Sequence, residues 1–193
     1  KYYESQKKKI EINYKYNQLH GRYTHWHENG RKFSEVFYTK GKKHQWELGW
    51  HEDGSHRLKL FWFLGDQDGE QISWYNNGQK KEEKNFVDGK KDGKWESWFL
   101  DGTKKEERYY SGDLKTGIWK EWYELQPREE RRYKDGKLNG SRRKWYSNGQ
   151  LKEEGNYKNG KENGRWTYYL EDGAIETSYD IKGNFLSRIN IED

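Results

Sequence analysis

Aromatic and turn-forming positions follow one another along this chain with a fixed period. A glycine opens each unit at Gly21, Gly69, Gly93, Gly117, Gly140 and Gly164, with Gln45 in its place once. Five residues later come Trp26, Trp50, Trp74, Trp98, Trp122, Trp145 and finally Tyr169. Nine residues after the opening position come Gly30, Gly54, Gly78, Gly102, Gly149 and Gly173, with Gln126 the exception. The interval is 24 residues, shortened to 23 between Gly117 and Gly140. Self-similarity at such a period marks a repeat architecture, whose units cannot each bury an apolar face alone.

Each unit holds two short segments rich in Trp, Tyr, Phe and charged residues. One ends in a pair such as Asn77-Gly78, Asp101-Gly102 or Asn148-Gly149, the other in a pair such as Asp88-Gly89, Asp135-Gly136 or Asn159-Gly160. Asn-Gly and Asp-Gly between such segments are strong hairpin signals, because both residues tolerate positive φ. A turn signal every nine to twelve residues leaves no room for helices. The expected fold is all-β: an elongated, single-layer antiparallel meander of seven hairpin repeats preceded by an N-terminal half repeat. With strands about 4.8 Å apart, equivalent residues recur about every 9.6 Å and seven units extend on the order of 70 Å. Residues 1–20 read as a partial, capping repeat, residues 21–183 as one repeat array, and residues 184–193 as a C-terminal cap strand and tail. The fifth unit has lost a residue and carries Gln126-Pro127, which predicts a kink or bulge. The glycines read as turn punctuation.

The units resemble the MORN-repeat family in its bacterial MORN-variant branch. In that family, units resembling NG-x-x-x-G-x-W-x-x-Y-x-x-G-x-x-x-x-E-x-x-Y recur, and Asn139-Gly140 to Tyr157 and Asp92-Gly93 to Tyr110 carry the match. The resemblance implies a protein- or lipid-interaction module. Many such bacterial proteins are labelled YwqK-like antitoxins, and others look exported or surface-bound.

Composition narrows the function classes. Charged residues make up 37% of the chain and aromatics 18%, yet the net charge is only +5. Disordered chains are poor in aromatics, so the apolar content has moved into Trp and Tyr, which bury about 150–250 Å² each. There is no Cys, hence no disulfide, thiolate metal site or cysteine nucleophile. The absence of Met, even at position 1, leads us to expect that the natural chain starts upstream. A cell-envelope or extracellular location is expected, with the cytoplasm as the alternative. No Walker loop, G-x-S-x-G, H-E-x-x-H or dinucleotide-binding glycine set occurs. A non-enzymatic chain without a cofactor is therefore expected.

Four groups of side chains remain as candidates. The ladder Trp residues share one face by alternation, with Tyr23, Trp95, Trp119 and Trp166 on the other. Glu11, Glu35, Glu83, Glu107, Glu130 and Glu154 form a row whose expected role is pairing with Lys, Arg or an indole. His25 and His27 share a face, and His27 and His51 stand one repeat apart, too far for a common metal ion; these histidines read as polar substitutes for Tyr. Residues 128–144 carry eight basic and three acidic residues, a surplus equal to the whole net charge of +5. The expected contact residues are Trp74, Trp98, Trp122, Trp145, Arg128, Arg131, Arg132, Arg142 and Arg143. A protein partner is expected first. Anionic lipid or glycan is the alternative, while nucleic acid is disfavoured by the fine mixing of charges.

Overall fold

The computed structural model describes residues 1–123 and 126–180 and, for its backbone alone, Phe185–Arg188. It is all-β, in two units: Lys1–Gly93 with Ser97–Gly102, and Lys94–Glu96 with Thr103–Asp193. The first unit contains β1 (Ile10–Lys15), β2 (Gln18–Trp26), β3 (Lys32–Thr39), β4 (Lys42–Trp50), β5 (His56–Phe63), β6 (Asp66–Trp74), β7 (Lys80–Val87) and β8 (Lys90–Lys91). β9 (Gly93–Trp98) has residues in each unit. The second contains β10 (Lys104–Ser111), β11 (Leu114–Tyr123), β12 (Gln126–Lys134), β13 (Lys137–Trp145), β14 (Leu151–Lys158), β15 (Lys161–Tyr169), β16 (Ile175–Tyr179) and β17 (Phe185–Arg188). Within each unit, strands pair antiparallel with their neighbours in sequence. Packing is between consecutive strands, so each unit is a single layer without an opposing sheet. Gly183, the expected end of the repeat array, and the tail residues Ile189, Asn190 and Ile191, expected in a cap, lie outside the described residues.

The two kinds of hairpin turn use these residues' tolerance of positive φ differently. In the tight turns both residues adopt it: Asp88 and Gly89 lie at φ +49° and +76°. In the turns after the ladder Trp, only glycine does so. There, Gly30 N–H donates to the His27 carbonyl (2.9 Å) and His27 N–H to the Arg31 carbonyl (2.8 Å), giving a wider loop. Asn29 stays at negative φ because its side chain is engaged. Its carboxamide oxygen accepts from Arg31 N–H (2.9 Å), and its amide donates to the Glu52 carbonyl of the next repeat (2.8 Å). Asn77 and Asn148 repeat the arrangement toward Leu100 and Glu171. The Asn is therefore a tie between repeats as well as a turn former.

One correction concerns the opening glycine, which is not turn punctuation. It lies inside a strand, at a bulge where the register skips. Ile12 pairs with Tyr23 but Tyr14 with Leu19, so Gly21, at φ +83°, is skipped in the ladder to β1 while it pairs with Tyr38 of β3. Gln45 holds the same bulge at φ +70°, in a region unfavourable for a side chain with a Cβ. The fifth unit does contain a bulge, at Glu121/Trp122, but so do the hairpins β2–β3, β4–β5, β6–β7, β13–β14 and β15–β16 at the same place. The missing residue is taken from the loop. Trp122 pairs with Pro127, five positions on, whereas Trp26 pairs with Lys32 and Trp145 with Leu151, six on.

Opposite the ladder, the second unit gathers its buried rings. Trp119, 5% exposed, packs on Tyr110 (5.2 Å between centroids) and Tyr133 (4.8 Å), with Trp95 and Leu138 beside them. Trp166 is fully buried, although no second layer exists. It lies flat over Gly155, where a Cβ would come within 2.2 Å of the indole, and Tyr157 meets it edge-on at 5.3 Å.

Two stability predictions follow from this backbone. Gln45→Gly is expected to stabilise the chain by about 0.5–1 kcal/mol, because the left-handed conformation costs Gln about that much more than Gly. The readout is a Tm rise of about 1–4 °C. Gly155→Ala is expected to destabilise it by about 2 kcal/mol or more, with part of the loss recovered in a Gly155→Ala/Trp166→Leu double variant.

Candidate functional site: an open notch beside Trp145

The ladder Trp residues are all half-buried, and most are covered in the same way. A lysine from the preceding repeat lies over the ring: Lys8 over Trp26 (5.1 Å), Lys32 over Trp50 (5.6 Å), Lys80 over Trp98 (5.4 Å) and, in the second unit, Lys104 over Trp122 (5.6 Å). Over Trp74 the place is taken by His56, at 5.9 Å. A lysine so placed contributes about 0.5–1 kcal/mol through cation–π attraction and shields the ring with its methylene stem. The same lysines hold the Glu row: Lys8–Glu11 (2.9 Å), Lys32–Glu35 (2.6 Å), Lys80–Glu83 (2.6 Å) and Lys104–Glu107 (2.9 Å). Glu130 pairs with Lys120, and Glu154 with Arg143. The pairing expected for this row is what the structure has, with lysine at the centre of each Trp–Lys–Glu set. Lys94 joins the last full set, 2.8 Å from Glu96. That hydrogen bond, opposed by burial, pushes its pKa up to about 12.

Where the residue after a ladder position is Tyr or His, it supplies a second tie in most repeats. Tyr3 (2.6 Å), Tyr75 (2.9 Å) and Tyr146 (2.8 Å) each donate a hydroxyl proton to the backbone carbonyl of the next ladder residue. His27 and His51 stand in the same relation to the Trp50 (3.2 Å) and Trp74 (3.3 Å) carbonyls, where they replace Tyr as expected. His25 and His27 do share a face, both edge-on to Phe33. Among the described residues, no three His, Asp or Glu side chains gather as metal ligands would.

Both ties fail at the fifth unit. Pro127 occupies the place of the covering lysine, and no lysine among the described residues lies over Trp145. Tyr123 stands where Tyr75 and Tyr146 stand, yet it is 54% exposed and makes no hydrogen bond among the described residues. The result is a cavity of about 270 Å³ lined by Tyr123, Gln126, Pro127, Arg128, Trp145, Tyr146 and Ser147. Small-molecule sites run about 300–1,000 Å³, so this volume suits one or two side chains. Arg128 is exposed at its rim and has no carboxylate partner among the described residues.

The remaining expected contact residues fall elsewhere. Arg131 and Arg142 lie on the opposite face within a chain of alternating charge. Arg131 pairs with Glu121 and, at 3.4 Å, with Glu129; Arg142 pairs with Glu129 (2.9 Å) and Glu153 (2.5 Å). Arg143 is drawn to Glu154 at 3.4 Å. Carboxylates from neighbouring strands thus offset much of the basic surplus of residues 128–144. Arg132 lies across Gly140 and lines a separate shallow cavity with Tyr133, Lys134 and Asn139. Trp74, Trp98 and Trp122 are the covered rings described above. Of the nine expected residues, the structure brings only Trp145 and Arg128 together in one pocket. Tyr123, Gln126, Pro127, Tyr146 and Ser147 were not singled out. The signal for them was present: Lys8, Lys32, Lys80 and Lys104 fill one repeat position, and Pro127 interrupts it.

Three stretches, residues 19–40, 67–88 and 138–159, match the family model of the MORN repeat variant. Each runs from just after one tight turn to the next, and so spans one complete hairpin. The chain is similar to that family over these three units, about a third of its length. Trp145, Tyr146 and Ser147 lie in the third match, while Tyr123 to Arg128 lie in an unmatched unit, so the notch forms where a regular repeat meets a divergent one. A search of curated proteins finds no match to the chain. No helix among the described residues is long and apolar enough to cross a membrane.

Burial, reinforced by the charge of Lys9, holds the His25 pKa below its ordinary 6.5. A base whose folded pKa is depressed contributes stability that is full above its unfolded value and is lost as pH falls through 6.5. Glu96 and Glu107 are pushed up by burial but pulled further down by Lys104 and Lys94, so both titrate below 4.5. Between pH about 7.5 and 5.5 these carboxylates stay ionised. Tm is expected to fall over that interval, and His25→Asn to flatten the fall, as measured by thermal unfolding at each pH.

Proposed function

We propose that the chain is a non-catalytic repeat scaffold that binds a partner protein, with the notch at Trp145 as a contact point. The observation that carries this reading is the contrast along the ladder. Covered rings and paired carboxylates are committed to holding repeats together, and the notch presents a ladder indole without a covering lysine beside a cation without a carboxylate partner among the described residues. Trp, Tyr and Arg in a concave site are the residue types that dominate binding energy at interfaces. Similarity to MORN repeat variants, commonly protein- or membrane-binding modules, agrees with this.

The test is retention of proteins from a lysate of the source organism by the immobilised chain, at about 0.15 M and 0.5 M salt, which bracket physiological screening. The expected result is a protein retained at one-to-one stoichiometry and lost with Pro127→Lys, which restores the regular cover over Trp145 without removing a ring. If the partner proves to be a toxin encoded beside this chain, the scaffold is an antitoxin-like neutraliser. If only glycan or anionic vesicles are retained, the protein-scaffold reading fails and a cell-envelope role replaces it. Retention unchanged by Pro127→Lys would move the contact away from the notch.

A further inference from the structure

The lining of the notch defines a ligand class. Resting on the scaffold reading above, we infer that the notch binds an acidic, proline-containing peptide segment: a proline ring enters between Tyr123, Trp145 and Tyr146, and a flanking carboxylate pairs with Arg128. Three observations carry this. The first is shape. The cavity of about 270 Å³ is walled by rings of Tyr123, Trp145, Tyr146 and Pro127, too small for a cofactor and of the size of one or two side chains. Aromatic-lined grooves of this kind take proline in the extended polyproline conformation, which is already ordered before binding and loses little entropy.

The second observation is charge. Elsewhere on this face a lysine sits on the indole and a glutamate holds the lysine. At the notch the lysine is replaced by Pro127, and Glu130 is turned to Lys120 at 3.6 Å. The cation left at the rim is Arg128, without a carboxylate among the described residues. A guanidinium presents a planar fork that matches a carboxylate bidentately, so an acidic residue beside the proline completes an ion pair that the described residues leave open. A basic segment would meet Arg128 with like charge.

The third observation is polar complementarity. The Tyr146 hydroxyl is already committed to the Tyr169 carbonyl at 2.8 Å. The Tyr123 hydroxyl, Gln126 and Ser147 are therefore the uncharged polar groups at the wall that remain for a peptide backbone. A polyproline segment exposes its carbonyls along its length, and the Gln126 amide and the Ser147 hydroxyl are donors of the right type.

The test uses the whole chain and two-dimensional NMR of the indole N–H groups, with the Trp145 signal assigned through Trp145→Phe. The probe is acetyl-Glu-Pro-Pro-Glu-amide; acetyl-Glu-Ala-Ala-Glu-amide and acetyl-Lys-Pro-Pro-Lys-amide are the comparisons. The inference predicts a saturable shift of Trp145, with Kd about 1 mM or tighter, and about tenfold weaker binding of each comparison peptide. Pro127→Lys should abolish the shift while Tm holds or rises, and Arg128→Glu should invert the preference in favour of the lysine peptide. No saturable shift with the probe would overturn the inference. So would equal binding of the proline and alanine peptides, equal binding of the acidic and basic peptides, or undiminished binding to Pro127→Lys. Retention of a lysate protein that Pro127→Lys abolishes, with no response to the probe, would leave the scaffold reading standing and discard only this ligand class.

Discussion

A sheet with only one layer has no opposing surface to bury its rings, and each aromatic must be covered from within the sheet by the strands beside it. This constraint explains the composition. Aliphatic residues are too short to reach across to the next strand and screen a ring from water, whereas lysine and arginine carry a long apolar stem that ends in a charge. Each Lys so placed is fixed by a Glu three residues on, as Lys32 is by Glu35 and Lys80 by Glu83. The exposed pair alone contributes little. Its value lies in positioning the stem over the ring. High charge and high aromatic content are thus two halves of one packing solution, repeated every hairpin.

The backbone ties follow from the same limit. With little buried volume per unit, adjacent repeats are joined by hydrogen bonds whose donors are side chains and whose acceptors are carbonyls one repeat along: Asn29 to Glu52, Asn77 to Leu100, Tyr75 to Trp98, Tyr146 to Tyr169. Where residues depart from the pattern, the structure opens. Pro127 cannot cover Trp145 as lysine does, and the loop shortened by one residue leaves Tyr123 exposed. A substitution and a one-residue deletion within a periodic packing scheme create a concave aromatic site without any new element of fold.

Much of this was legible in the sequence, because period and alternation act locally. The hairpin units, the ladder on one face with Trp119 and Trp166 on the other, the pairing of the Glu row and the Tyr-like role of His27 and His51 all follow from spacing alone. Two backbone features were not. The opening glycine was read as a turn because glycine signals turns, but its positive φ serves an in-strand bulge that only the pairing register reveals, and that Gln45 can also adopt. The Asn of the wider loops was read as a conformational signal, whereas its carboxamide bonds the neighbouring repeat. The site was legible in part. Charge counting along residues 128–144 pointed to the right region but overstated its free charge, since Glu121, Glu153 and Glu154 arrive from adjacent strands and occupy Arg131, Arg142 and Arg143. The missing lysine at Pro127, a gap in a periodic pattern, was the more informative signal.

The central claim is that Trp145 is uncovered while its counterparts are covered. It can be measured directly by labelling the chain with 5-fluorotryptophan, assigning each ladder resonance by single Trp→Phe substitution, and comparing fluorine shifts in light and heavy water. The account predicts that Trp145 shows the largest solvent isotope shift of the ladder, clearly above Trp50, Trp98 and Trp122. A Trp145 shift no larger than those of its lysine-covered counterparts would contradict it.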